Sequence, residues 1–230
     1  MRKFRIPSLI LLLAMALTLA APPARALDDP QVDSSHAVVL LAENGSNESV
    51  IYTKNEHERM YPASLTKVMT VLLALEAVEA GTVKLSDMVT AQPGFDFDMI
   101  VNGTSANLVA GETMTLENLL YCCLLASAND ASNVIAQYIS GSVKDFVELM
   151  NQRAAELGCT DTHFSNPHGL PSPDHYTTAW DFSRIFREAA THELFLQISS
   201  TINYTVPDTN MASERRLENT NSLINPTNAH

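Results

Sequence analysis

The chain has 230 residues and a formal net charge of −12, with 26 acidic and 14 basic side chains. This acidic balance argues against nucleic acid as a partner and against an anionic membrane surface as an electrostatic dock. It does not exclude a small peptide substrate, which responds to local charge.

The first 26 residues are expected to be a secretory signal peptide. Three basic residues precede an uncharged apolar run of 13 residues, Leu9–Ala21, and Ala24–Ala26 has the small-x-small pattern of a cleavage site. A membrane anchor is the alternative, but 13 residues are too few to span a bilayer comfortably. Cleavage leaves residues 27–230, enough for one domain with its own core. Because residues 1–26 hold four basic and no acidic side chains, the remainder carries a formal charge of −16.

A β-hairpin is predicted at the start of this domain. Residues 36–42 and 49–53 have the composition of strands, and Asn44-Gly45-Ser46-Asn47 between them is typical of a turn. An isolated two-stranded hairpin is marginal in water, so this one needs partners. After Pro62 an apolar helix is predicted from about Ser64 to Ala80, ending at Gly81.

The rest of the chain is predicted to be mostly helical. Residues 82–112 are mixed and rich in loops, as are residues 159–176. Thr115, Ser142 with Asp145, and Thr178 are expected helix caps. The predicted helices are about 116–126, 130–140, 142–157 and 178–190, and residues 202–206 are a possible short strand.

The three cysteines, two of them adjacent, give no disulfide framework. Cys122 and Cys123 lie in an apolar run, where a small buried thiol is the simpler interpretation. No zinc-ligand spacing surrounds them. His163, His168 and His175 share one loop, and a structural role is favoured for them. We predict no metal and no cofactor.

The first candidate site element is Ser64-Leu65-Thr66-Lys67, an S-x-x-K at the opening of the apolar helix. Residues three apart share a helical face, so the amine of Lys67 can reach the hydroxyl of Ser64. A lysine made neutral by burial can take the serine proton. The tetrad alone is expected about once by chance in a chain of this length. In the alternative interpretation, Ser64 caps the helix and Lys67 is solvated.

The second element is Ser127-Ala128-Asn129, at a break between two apolar helices. Here the hydroxyl of Ser127 can relay a proton, and the amide of Asn129 can hold both Lys67 and a substrate carbonyl. The alternative, that the two residues only cap the adjoining helices, is at least equally consistent with the sequence. Ser105-Ala106-Asn107 repeats the pattern in a loop-rich segment and ranks below it.

These elements and their surroundings resemble the serine D-alanyl-D-alanine carboxypeptidases, the low-molecular-mass penicillin-binding proteins. The resemblance covers about residues 36–225 and favours Ser127 over Ser105. It is carried by Pro62–Thr70, Leu124–Ala131, Met150-Asn151, Leu157-Gly158, Phe164–Leu170, Thr177–Asp181 and Asn219–Leu223.

The resemblance implies an α/β (α+β) fold of the penicillin-binding-protein/β-lactamase type, an antiparallel sheet flanked by a mostly helical block. It implies Ser64 as nucleophile, Lys67 as base, Ser127 as a catalytic proton relay and Asn129 as a substrate-binding residue. The implied partners are a peptidoglycan stem peptide ending in D-Ala-D-Ala and β-lactam inhibitors, at the cell envelope. Membrane association is expected only through a C-terminal region not present in this sequence.

The resemblance fails at one motif. The family's Lys-Thr-Gly triplet, expected shortly after Asn219–Leu223 on a strand lining the cleft, does not occur in the 230 residues. That strand would bind the substrate carboxylate and supply an oxyanion-hole N–H. We therefore expect residues 27–230 to be an incomplete catalytic domain, with its C-terminal sheet strands missing.

The alternative functions are a β-lactamase and a protein without catalytic activity. A class A β-lactamase needs a glutamate in an E-x-x-x-N pattern after the second element, and none of the six glutamates beyond residue 129 has an asparagine four residues later. A non-catalytic peptidoglycan-peptide binding protein, or an inactive fragment, is compatible with the missing triplet.

Overall fold

The computed structural model describes residues 32–43, 47–99 and 103–224. The chain divides into two compact units, Met1–Ser34 and Ser35–His230. Only residues 32–34 of the first unit are described, so the predicted signal peptide lies outside the described residues. Among the described helices, none is both long and apolar enough to cross a bilayer.

The predicted hairpin is confirmed in the second unit. Strand β1 (Ala37–Glu43) pairs antiparallel with β2 (Asn47–Lys54), with an irregularity between Val39 and Leu40. In the described part of the chain this sheet contains only these two strands. Both strands keep large apolar side chains about half exposed, among them Leu41 and Val50.

The central element is helix α1 (Thr66–Glu79), preceded by a turn of 3₁₀ helix at Ala63–Leu65. The predicted helix is confirmed, but its α-helical part begins two residues after Ser64. Every residue from Thr66 to Leu75 is buried, including Lys67. A helix that is buried on all sides must be surrounded by other elements.

The described residues form five further α-helices, and α1 packs against each of them. Helix α2 is Leu116–Leu125, α3 is Asn129–Ser140, α4 is Val143–Glu156, α5 is Ala179–Ala189 and α6 is Glu193–Ser200. The predicted caps are confirmed: Thr115, Ser142 and Thr178 each accept a hydrogen bond from a backbone N–H three residues on. Helix α6 was not predicted from the sequence.

Two more antiparallel pairs complete the described structure. Strand β3 (Met88–Thr90) pairs with β4 (Thr113–Thr115), and β5 (Asn203–Val206) pairs with β6 (Arg215–Glu218). Of these four strands only β5 was predicted. The segment 82–112 is thus not entirely loop, because β3 lies within it. Such short strands are defined by their partners more than by their own composition.

The predicted burial of the cysteine pair is confirmed. Cys122 and Cys123 have no exposed surface and are free thiols. Burial raises the pKa of Cys122 to about 12 and that of Cys123 to about 11, so both remain protonated at neutral pH. They contribute to the core between α2 and its neighbours.

Candidate active site

Ser64 lies in the 3₁₀ turn at the start of α1, with its side chain exposed to solvent. The preceding residue, Ala63, has a φ of 47°, in the left-handed region that non-glycine residues rarely adopt. At the opening of a helix, the first backbone N–H groups point outward without intrahelical acceptors. Ser64 is therefore presented at the positive end of a buried helix.

Lys67 lies one turn further on and is almost completely buried, with 2% of its surface exposed. Its Nζ is within hydrogen-bonding distance of three oxygen atoms: Ser64 Oγ at 3.2 Å, Asn129 Oδ1 at 2.8 Å and the main-chain oxygen of His168 at 2.7 Å. Burial lowers the pKa of Lys67 from 10.5 to about 8. The three oxygens fix the direction of the amine, while burial reduces its affinity for the proton.

The neutral amine fits this arrangement in one orientation. A neutral lysine has two N–H bonds and one lone pair. Its two N–H groups can donate to the two nearer oxygens, those of Asn129 and His168, which leaves the lone pair facing the hydroxyl of Ser64. In that orientation Lys67 can accept the proton of Ser64, which is the geometry required of a general base.

Ser127 approaches Ser64 from the other side of the cleft. Its Oγ donates a hydrogen bond to Ser64 Oγ at 2.9 Å. Ser127 has a φ of 54° in the bend between α2 and α3. The caps of these helices are Ala126 and Ala128, and Ala128 makes no side-chain cap bond. The alternative in which Ser127 and Asn129 serve only as helix caps is therefore wrong.

The competing Ser105 lies outside this arrangement. Its Oγ donates to Asp130 Oδ2 at 2.6 Å instead of facing Ser64 or Lys67. All four residues predicted from the sequence are thus brought together by four neighbouring elements: Ser64 by the turn before α1, Lys67 by the first turn of α1, Ser127 by the bend between α2 and α3, and Asn129 by the start of α3.

The sequence did not identify the main-chain oxygen that completes the surroundings of Lys67. The oxygen of His168 reaches the amine from residues 165–170, and the hydroxyl of Thr70 donates to the oxygen of Pro167 at 2.6 Å. Asn166 Oδ1 accepts from the N–H of Gly169 at 2.6 Å, which closes the loop on itself. The motif Phe164–Leu170 marked this loop, but a main-chain acceptor has no side-chain signature.

The side chain of His168 anchors the same loop. Its Nδ1 accepts from the N–H of Leu170 at 3.1 Å, so its Nε2 carries a proton and donates to Asp98 Oδ2 at 2.8 Å. Asn133 donates to the other oxygen of Asp98 at 2.8 Å. Although burial acts to raise the pKa of Asp98, the hydrogen bond from His168 opposes it, and the net pKa is lowered.

His175 contacts the start of α1, directly after the turn that contains Ser64. Its Nδ1 accepts from the N–H of Ser165 at 3.0 Å, and its Nε2 lies 2.8 Å from the hydroxyl of Thr66, the residue before Lys67. Burial lowers the pKa of His175 to about 4, with smaller contributions from His168 and His163. His175 is therefore neutral at physiological pH and holds Thr66 by a hydrogen bond. Within the described ranges, no three His, Cys, Asp or Glu side chains are grouped as metal ligands.

A cleft of about 380 Å³ opens beside Ser64. Its walls come from the Ser64 turn, the end of α2 with Ser127, the aromatic rings of Phe186 and Phe195, and the segment Asn219–Asn221. The N–H of Thr220 donates to the oxygen of Leu125, which holds this segment against α2. A larger, mostly apolar cavity of about 530 Å³ lies between β1 and α5, but it does not contain the four polar site residues.

Solved structures with this fold are penicillin-binding proteins. The chain aligns with penicillin binding protein 5 from Haemophilus influenzae with a TM-score of 0.75 and 28% sequence identity, over 86% of this chain and 55% of that one. The predicted fold class is thereby confirmed: the helical block and small antiparallel sheets are those of the penicillin-binding-protein type.

The chain belongs to the D-alanyl-D-alanine carboxypeptidase family, whose model matches residues 23–230. It is 37% identical over 220 residues to D-alanyl-D-alanine carboxypeptidase DacF of Bacillus subtilis (strain 168), covering 93% of this chain and 55% of DacF. It is 32% identical over 223 residues to the D-alanyl-D-alanine carboxypeptidase of Streptomyces sp. (strain K15), covering 92% of this chain and 75% of that protein. The chain thus spans about half the length of DacF.

The close contact between the 165–170 loop and the Ser64 turn leads to a stability prediction. A Cβ on Gly169 would collide with the main-chain oxygen of Ala63, and Gly169 has a φ of 92°. We expect Gly169→Ala to lower the free energy of unfolding by about 2–5 kcal/mol, from steric overlap and backbone strain together.

Gly141 provides the matched control, since its φ is 78° but a Cβ there meets nothing within 4 Å. Gly141→Ala should cost only about 1–2 kcal/mol, the backbone term alone. Urea unfolding of both variants, followed by circular dichroism, measures the difference. Equal losses in the two variants would show that the loop does not press on the Ser64 turn.

Proposed function

We propose that the protein is a serine-type D-Ala-D-Ala carboxypeptidase that removes the terminal D-alanine of peptidoglycan stem peptides through an acyl-enzyme. The observation that carries the proposal is the buried amine of Lys67, 3.2 Å from the exposed hydroxyl of Ser64. Membership of the family and the names of its relatives support the substrate.

The proposed acylation begins when neutral Lys67 takes the proton of Ser64. The Oγ of Ser64 attacks the carbonyl carbon between the two D-alanines, and charge develops on the carbonyl oxygen near the N-terminus of the helix. When the C–N bond breaks, the leaving D-alanine amine takes a proton relayed through Ser127, whose hydroxyl is 2.9 Å from Ser64 Oγ. Water then hydrolyses the ester and restores Ser64.

Asn129 has a separate role in this proposal. Its Oδ1 accepts from Lys67 at 2.8 Å, which leaves its amide NH₂ group as a donor for a substrate carbonyl. One side chain would then align the base and the peptide together. A β-lactam presents a similar carbonyl to Ser64 and would form a stable acyl-enzyme in the same cleft.

A β-lactamase function is disfavoured because the E-x-x-x-N pattern is absent beyond residue 129. The remaining alternative is a non-catalytic protein that binds peptidoglycan peptides, and the absence of Lys-Thr-Gly from these 230 residues keeps it open. Formation or failure of a penicilloyl-enzyme separates the two.

We also propose that the protein is exported and acts at the cell envelope, with residues 1–26 removed and residues 27–230 belonging to the catalytic domain. The basic start, the apolar run and the Ala-x-Ala site support export. N-terminal sequencing of the protein recovered from the envelope should begin at Leu27, and a retained Met1 would contradict cleavage.

Substitution of the nucleophile gives the first test of the chemistry. Incubated with a fluorescent penicillin, the wild-type full gene product should become covalently labelled, and Ser64→Ala should not, because the hydroxyl that forms the ester in this proposal is removed. Ser200→Ala, which removes an exposed hydroxyl at the end of α6, should label like the wild type. Undiminished labelling of Ser64→Ala would remove Ser64 from the mechanism.

Two experiments test Lys67 as the base: the pH dependence of the acylation rate, and a substitution of Lys67 that keeps a positive charge. The acylation rate of the wild type should rise with pH and reach half its maximum near pH 8, as Lys67 loses its proton. Lys67→Arg should be slower by about 100-fold or more, since a guanidinium does not deprotonate. Lys84→Arg, at an exposed position, is the control. A pH-independent rate between about pH 6 and 9 would contradict a lysine base.

A further inference from the structure

The backbone at Ser127 is in an unfavourable conformation. Its φ of 54° lies in the left-handed region, where a side chain meets the neighbouring carbonyl. Strained residues of this kind persist only where the surrounding structure holds them. The contacts that hold Ser127 therefore also determine where its hydroxyl points.

Those contacts come from residues 103–108, here called the bracing segment. The hydroxyl of Thr104 donates to the main-chain oxygen of Ser127 at 2.6 Å, and the N–H of Asn129 donates to the main-chain oxygen of Thr104 at 3.0 Å. One residue of the bracing segment thus holds the backbone on both sides of Ala128.

A buried carboxylate holds the bracing segment in turn. Asp130 is 3% exposed, and its Oδ2 accepts from the hydroxyl of Ser105 at 2.6 Å and the N–H of Leu108 at 2.9 Å. Its Oδ1 accepts from the N–H of Ala106 at 3.0 Å and from that of Ala131 at 2.9 Å. Three of these four donors belong to the bracing segment, so the carboxylate is used chiefly to fix the loop.

We propose that Asp130 is a positioning residue for acyl transfer: through the bracing segment it holds Ser127 Oγ and the Asn129 amide against Ser64 and Lys67. This inference rests on the proposed function. It gives Ser105, the competitor to Ser127 in the sequence, a place in the support of the Ser127 bend. It also makes Thr104 the residue of the bracing segment that hydrogen-bonds directly to the backbone of Ser127 and Asn129.

A direct electrostatic effect of Asp130 on the base has the opposite sign. The negative charge of Asp130 raises the pKa of Lys67, against the larger lowering by burial. Asp130→Asn removes that charge, which would make more of Lys67 neutral at a given pH. A slower reaction in Asp130→Asn would therefore come from lost positioning and not from a weaker supply of neutral base.

The test compares rates of acylation by fluorescent penicillin in variants of the full gene product. We expect Asp130→Asn and Thr104→Val each to slow acylation by about tenfold or more, because small misplacements of reacting groups have large effects on rate. Thr104→Ser, which keeps the hydroxyl, should recover most of the wild-type rate. In a Ser127→Ala background Asp130→Asn should slow acylation by a smaller factor, since of the two side chains that it positions only Asn129 remains.

Asp181 is the matched control for a merely structural carboxylate. It is equally buried at 3% exposure, lies in the first turn of α5, and accepts from the N–H of Asp161 and the hydroxyl of Thr162. Asp181→Asn should lower the free energy of unfolding. Any effect that it has on the acylation rate should be the same with and without the Ser127 hydroxyl. Because Thr104 is exposed, we expect its variants to fold. They therefore test the proposal even when Asp130→Asn fails to fold.

Two results would overturn the inference alone. Wild-type rates in Thr104→Val and in folded Asp130→Asn, with the wild type labelled and Ser64→Ala unlabelled, would refute the positioning role and leave the proposed function intact. Equal fold-losses for Asp130→Asn with and without the Ser127 hydroxyl would show that Asp130 does not act by positioning Ser127. Absence of labelling in the wild type would instead overturn the proposed function, and the inference with it.

Discussion

The site depends on one buried amine. Lys67 is removed from water inside a helix that is buried on all sides, and its Nζ is surrounded by three oxygens at 2.7–3.2 Å. Burial alone would leave an amine that loses its proton more readily but has no fixed direction. The oxygens of Asn129 and His168 supply the direction, and they leave Ser64 as the remaining neighbour. Both the lowered pKa and the orientation of the Lys67 amine therefore follow from packing around α1.

The supports of that amine account for much of the surrounding structure. The 165–170 loop reaches Lys67 only because Gly169 passes close to the oxygen of Ala63, where a Cβ would collide. The Asn129 side chain is placed by the bend at Ser127. Two residues next to the reacting groups, Ala63 and Ser127, have positive φ values. The strain is thus located where the side chains must point into the cleft, a pattern common at functional sites.

Much of this arrangement could be predicted from the sequence, for identifiable reasons. The hairpin and the first five helices have apolar patterns, and α2, α4 and α5 also have side-chain caps; these signals are local. Helix α6 was missed because it has eight residues and no side-chain cap bond, although Phe195 and Ile198 have the i, i+3 spacing of a buried face. The short strands β3, β4 and β6 were missed because each is defined by pairing with another segment.

The four site residues were predicted, but mainly through resemblance of their surroundings to a family. Local patterns alone ranked Ser127 above Ser105 but allowed Ser127 and Asn129 to be simple caps. The oxygen of His168 was beyond prediction, since any residue has a main-chain oxygen and only the fold brings this one to Lys67. The proposed role of Asp130 was hidden for a similar reason: three of its four donors lie 22–25 residues earlier in the chain.

The most direct test of the central claim is the pKa of the Lys67 amine itself. An NMR titration of isotopically labelled lysine side chains, with the Lys67 signal assigned by its loss in Lys67→Arg, measures this value without reference to any substrate. We predict a pKa of about 8. A value at or above 10.5, the ordinary value for lysine, would contradict the account, because the amine would then remain charged and could not take the proton of Ser64.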